Sequence, residues 1–337
     1  PDQNDALRFF TSSEIEEIGI DFENGGYFGG YMCEVVKVDG QQLAPTSFGE
    51  FDTSTPTVWK PKDPSGLSFG TNGFYLDFED SGNLGNNAAG GSDFTENNIA
   101  ATDQSTDTCD NNFATLNPLK RLGTTSTQFQ EGNLQYSTTT TAWGNTCSTL
   151  AFTKGKWYAE AKIITLASST GYGSVGISDI NLSDYDGNDT VIKQDAETAG
   201  VALDHRSGQS DIRSGTSVVT SNIGNFSTND IVGLAVDMDN KALYIHLNGT
   251  YYQISGVTGV PTSGSSKTGA LTIPASVVDC AFHVGSYTDK SETAFNFGSP
   301  FYSISSGNSD ANGYGNFEYA VPSGYYALNT KNLAEFG

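Results

Sequence analysis

Ten residues beginning at Lys154, KGKWYAEAKI, constrain the fold of this chain more than any other stretch. Trp157, Ala159, Ala161 and Ile163 fall on one face while Tyr158, Glu160 and Lys162 fall on the other, the period-two pattern of a half-buried strand. The segment NDIVGLAVDMDNKALYIHLNGTYY, from Asn229 to Tyr252, reads as a strand, a turn at Asp239-Asn240 and a second strand. Asn248-Gly249 then gives the strongest short-range hairpin signal. No segment offers a long apolar stripe of helical period with caps, so helices are expected to be short. The composition agrees: 39 glycines and 12% aromatic residues, against only 16% charged, suit a turn-rich all-β chain that is too aromatic to be disordered.

Charge narrows the partners. With 16 Lys and Arg against 39 Asp and Glu, the formal net charge is −23. Such a potential repels phosphate backbones and anionic headgroups, so neither nucleic acid nor a membrane surface is an expected partner, while divalent cations are attracted. No apolar run reaches the length of a membrane span, so no membrane insertion is expected. Four cysteines show no CxxC pair and no metal-ligand spacing. Cys33 and Cys280 sit in apolar strand patterns and are expected as small buried side chains. Cys109 and Cys147 lie in polar surroundings, where one disulfide between them is an open alternative.

The chain divides by texture. Residues 1–60 hold strand-like pieces, Ile15–Phe22 and Tyr31–Val38, the latter closed by Asp39-Gly40. Residues 61–115 read as a loop-rich connector containing a short strand from Phe74, with Phe78, Phe94 and Phe113 as anchors. Residues 116–303 carry the main run of strands. Residues 304–337 form a tyrosine-rich strap, expected to be extended because of Pro322 and its glycines. Both ends look unable to bury themselves in a lone monomer, which points to assembly.

Several blocks extend the reading. KGKWYAEAKI with the Asn229–Tyr252 segment resembles the SPRY domain, a β-sandwich that displays loops for binding. FGGYMCEVVKVDGQQLAPTSFGEFD from Phe28, GTNGFYLDFED from Gly70, NNFATLNPLK from Asn111, EGNLQY from Glu131 and FEYAVPSGYYALNTKNL from Phe317 run in the order of a marine bacteriophage protein family. That family resembles virion or tail-fibre polypeptides in which a laminin-G/concanavalin-like sandwich precedes a SPRY-like one. The resemblance implies an all-β, SPRY/concanavalin-like antiparallel β-sandwich with an N-terminal β extension, here residues 1–60 as the terminal strands of the laminin-G-like module. It further implies a structural or adhesive virion protein, hence an extracellular particle, with other virion proteins or identical subunits as partners and a host cell-surface glycan as a candidate ligand.

Candidate chemistry is sparse. In NLSDYDGNDTVIKQDAE, Asp184, Asp186 and Asn188 are spaced as the first, third and fifth ligands of a calcium loop, with Asp195 at the twelfth. Gly187 does not stand where such a loop needs its glycine, and a solvated acidic loop is the plain alternative. Tyr172, Tyr185 and Trp143, with His205 and Arg213 in HRSGQSDIR, are candidates for a sugar platform, since ring faces stack on pyranoses while polar side chains bond hydroxyls. Core packing explains any single aromatic as well. Only three histidines are present, and no GxSxG, HExxH or phosphate-binding loop occurs. The reading is a non-enzymatic structural or adhesive protein, with a stand-alone carbohydrate-binding module as the alternative and a glycan hydrolase behind both.

Overall fold

The computed structural model describes residues 17–21, 26–28, 32–51, 53, 59–104, 107, 111–123, 126–168, 171–181, 193–194, 197–198, 200–214, 217–221, 223–287 and 291–337. They form two compact units, residues 1–104 with 108–110, and residues 105–107 with 111–337.

The first unit is built from two-residue and three-residue strands. Val35–Lys37 pairs antiparallel with Phe74–Leu76, and Gly49–Phe51 pairs with Trp59–Pro61. Its small core comprises Phe69, Phe74, Tyr75, Leu76 and Leu84, with Phe94 edge-on to Phe74 at 4.8 Å. Residues 61–104, expected as connector, therefore belong to this unit, because the strand at Phe74 finds its partner at Val35. Cys33 is exposed, contrary to expectation, since it precedes the paired residues and is not among them.

The second unit is an antiparallel β-sandwich. Its strands are β1 (Leu122–Gly123), β2 (Thr127–Gln130), β3 (Gln135–Thr138), β4 (Gly144–Cys147), β5 (Lys156–Thr165), β6 (Tyr172–Asp179), β7 (Gly200–Arg206), β8 (Gln209–Ser214), β9 (Ser217–Ser221), β10 (Ile231–Asp237), β11 (Ala242–Leu247), β12 (Thr250–Tyr251), β13 (Cys280–Tyr287) and β14 (Glu292–Asn296). One sheet runs β12-β11-β10-β5-β14-β3-β2; with Leu271–Thr272 on β11 and Tyr326–Ala327 on β5 it has nine strands. The other, of seven strands, runs β9-β8-β7-β6-β13-β4-β1. Asn248 and Gly249, both at positive φ, make the tight turn between β11 and β12 that their sequence demands.

Alternation fills the core between the sheets. Trp157, Ala159, Ala161 and Ile163 from β5 meet Val175, Ile177, Val201, Leu203, Phe282 and Val284 from the facing sheet. Cys280 is buried there, as its apolar setting predicts. Cys147 is a buried free thiol on β4; Cys109 lies outside the described residues.

The other face of β5 departs from expectation. Tyr158 and Glu160 are as buried as Trp157, so the strand is covered on both sides. The cover is residues 304–337: Phe317, Tyr325 and Ala327 join Tyr158, Ala235, Ala242 and Tyr244 in a second apolar cluster. The tail thus buries its aromatics on its own sandwich, correcting the expectation that it needs a neighbour. It also ends in a helix, α1 (Thr330–Phe336), where an extended strap was expected. Asn329 caps that helix by accepting the N–H of Asn332, a signal present in the sequence.

Candidate functional site

Outward-facing residues of the seven-stranded sheet form the most distinctive polar surface in the second unit. Strand pairing sets them in transverse rows, since opposed residues share a face. One row reads Asp211, Asp204, Ser174, Gly285 and Asn145 across β8, β7, β6, β13 and β4. The next reads Arg213, Ala202, Gly176, His283 and Cys147. On the other flank, Tyr172 opposes Tyr287, and the Trp143 ring lies 5.2 Å from that of Tyr287 and 5.8 Å from that of Tyr172. The Arg206 guanidinium sits 4.3 Å from the Tyr172 ring centre.

Glycine at 285 leaves the outer layer without a side chain at the centre of this pattern. Asn145 and Ser174 stand on either side of the gap, His283 and Tyr287 before and after it along β13. A glycine inside a strand often marks close approach by a ligand or another backbone. Both side-chain polar atoms of Asn145 and the Nε2 of His283 are buried with no hydrogen-bond partner among the described residues. His283 Nδ1 lies 3.2 Å from Ser178 Oγ. Leaving such groups unmade costs about 1–3 kcal/mol each, so a face that gathers them is under pressure to find partners.

Charges on this face are already matched. Arg213 Nε lies 2.8 Å from Asp204 Oδ2, and its Nη2 3.7 Å from Asp211 Oδ2. Burial pushes the Asp204 carboxyl up to about 7, against the pull of Arg213. Burial lowers His283 to about 3 and raises the Cys147 thiol to about 11. Near neutral pH one is an uncharged ring and the other a protonated thiol, so neither is an activated base or nucleophile. What the face offers is hydrogen-bond donors and acceptors beside aromatic rings.

The nine-stranded sheet is the contrast. Its outer row runs Asn296, Glu160, Gly233, His246 and Tyr251. Here the strap supplies two of the four donors to the buried carboxylate: Glu160 accepts from the Glu318 N–H at 3.0 Å and the Tyr319 N–H at 2.8 Å, beside Tyr158 Oη at 3.0 Å and Asn296 Nδ2 at 3.4 Å from the sheet. Each sheet therefore carries a buried polar row around a glycine: the strap covers one, and on the other the buried Trp143 packs against Ala202, Tyr172 and Tyr287.

Of the site residues read from sequence, Tyr172 and Arg213 share the outer face with Trp143, in strands and not in loops. His205 is a correction: it points inward, packs 5.6 Å from Phe226, and is held by burial as a neutral ring lowered to about 4. Its alternation with Val201 and Leu203 carried that signal. Tyr185 and the calcium candidates Asp184, Asp186, Asn188 and Asp195 lie outside the described residues. Asn145 and Ser174 escaped sequence reasoning, because nothing local distinguishes them from the chain's many other Asn and Ser residues.

No protein-family model matches the chain, and no curated protein matches it. Solved structures similar to it include the SPRY domain of human HERC1, at 11% identity over 53% of this chain and 96% of that one, with a TM-score of 0.39. The PSpry domain of TRIM65 is similar at 12% identity over 55% of this chain and 88% of that one, with a TM-score of 0.37. Its sheets make the chain an antiparallel β-sandwich protein, and SPRY domains are among the solved structures similar to it.

Proposed function

We propose that this chain is a non-enzymatic adhesive component of a phage particle that binds its ligand on the outer face of the seven-stranded sheet. The observation that carries the binding role is the polar row around Gly285, with the Asn145 amide and His283 Nε2 buried and unpartnered. The particle setting rests on the ordered sequence blocks shared with a marine phage family. It gains support from the first unit, where Phe28, Phe51 and Trp59 are exposed and would be covered by identical subunits or other virion proteins. The net charge of −23 argues against nucleic acid, and no described helix is long and apolar enough to cross a membrane.

One observation favours a stand-alone binding module instead: the strap buries its own aromatics in cis, so the second unit asks for no neighbour. Light scattering across a concentration range separates the two readings. The particle role predicts a stable trimer or larger assembly; a monomer at every concentration would transfer the weight to the module.

A further inference from the structure

We propose that the end of the strap, residues 327–336, is a latch on the leading segment of the second unit, residues 111–114, and that the two come free together while the sandwich stays folded. The hydrogen bonds of the leading segment change hands at a sharp boundary. From Thr115 onward the sandwich side holds it: the Thr115 N–H donates to Thr149 Oγ1 at 3.0 Å, the Leu116 N–H to the Asn133 carbonyl and the Asn117 N–H to the Cys147 carbonyl, both at 2.9 Å. Before Thr115 the partners come from the far end of the chain. The Asn112 N–H donates to Thr330 Oγ1 at 3.0 Å, the Ala114 N–H to the Leu328 carbonyl at 2.9 Å, and the Asn112 carbonyl accepts the Thr330 N–H at 3.0 Å. Asn111 Oδ1 accepts the Lys331 N–H at 3.2 Å, and Phe113 faces Asn329 in an antiparallel bridge. The Phe113 ring is buried in the cluster that Phe317, Tyr325 and Ala327 build over β5, so its burial depends on the strap as well.

The latch has two states because its helix cannot stand alone. Seven residues make fewer than two turns, too short to persist in water, so α1 is either docked or melted. Docked, it rests on the stacked rings of Phe336 and Tyr326, 3.7 Å apart, and on the Asn332 amide held by Asp310. Melted, it withdraws Thr330 and Lys331 from Asn111 and Asn112. Such an opening is local, below the free energy of global unfolding. Release of residues 111–114 lets out up to about 14 Å of chain between the two compact units.

Amide hydrogen exchange on the full chain tests the coupling. The Ala114 and Leu333 amides should share one protection factor, lower than that of Ala159 and Leu234 in the sandwich. Thr330→Val, at an exposed position, removes the acceptor of the Asn112 N–H and leaves the bonds of Ala114 and Leu333 in place. It should speed exchange at both reporters by about fivefold, the worth of one neutral hydrogen bond, with Ala159 and Leu234 unchanged. Asn329→Ala strikes from the helix side by deleting the cap, and should speed Ala114 by about the same factor. Leu333 losing protection while Ala114 keeps its own would overturn the proposal. So would both reporters exchanging only as slowly as the sandwich, or neither responding to either substitution.

Discussion

Glu160 shows how a single side chain can decide what covers a sheet. It sits on a strand whose sequence alternation would put it in water, yet it is buried and surrounded by four donors. Burial raises its pKa, while those hydrogen bonds pull the other way. The donors behind it are themselves oriented. The Gly249 N–H donates to His246 Nδ1 at 3.1 Å, which leaves the ring proton of the neutral imidazole on Nε2. Nε2 then donates to Tyr158 Oη at 2.8 Å, and the tyrosine proton is directed to Glu160. Gly233 makes room for this chain, since a Cβ there would fall 1.9 Å from His246 Nε2. Glu160→Gln keeps the shape but aims an NH₂ where an acceptor is required, orphaning a strap N–H. It should lower unfolding free energy by about 2–3 kcal/mol, the scale of a charged buried hydrogen bond. Urea denaturation checks this, and an unchanged midpoint would mean that the carboxylate does not anchor the strap.

At the scale of elements, the strap has its own hub. Asp310 accepts the N–H groups of Asn312, Tyr314 and Ala327, each at 2.9 Å, and Asn332 Nδ2 at 2.7 Å, tying the turn at 310–314 to the start of α1. Asp310→Ala leaves several of these donors unmatched and should destabilise the second unit by about 3 kcal/mol. Tyrosine fluorescence and binding of a hydrophobic dye would report the uncovering of Tyr158 and Tyr244; a variant as stable as the parent and silent to the dye would contradict the hub. The strands of the sandwich were legible because their alternation is local: Ile231–Asp237 and Ala242–Leu247 flank the Asp239-Asn240 turn as the sequence reading has it. The double burial of β5 was not legible, because its cover comes from Phe317 and Tyr325, far along the chain. The site was half legible for the same reason. Tyr172 and Arg213 stand out by residue type, whereas Asn145 acquires meaning only when pairing sets it opposite Gly285.

Across the whole molecule, the three imidazoles couple stability to pH. Burial lowers His205 and His246 to about 4 and His283 to about 3, while each would bind a proton near pH 6.5 in the unfolded chain. For a base with a depressed folded pKa, the stabilising contribution is present above 6.5 and lost as pH falls. Asp204, pushed up to about 7, works in the opposite sense, because the folded state holds a proton that the unfolded carboxylate has released. Glu160, also raised by burial, acts with it. Asp107 is raised by burial as well, but among these carboxyls Asp204 alone is held near 7 against three imidazoles, so stability should fall as the pH drops from 6 to 5. Melting temperatures across that interval test the sign; a flat or rising profile on acidification would place the imidazoles in water.

The strap also fixes an order of events during synthesis. Every strand it covers is translated before it, so a nascent sandwich leaves the ribosome with Tyr158, Tyr244 and the Glu160 carboxylate uncovered until residues 317–327 emerge. A chain cut short before Phe317 is therefore marked as unfinished by the face it cannot close, with the Glu160 carboxylate left among uncovered aromatic rings.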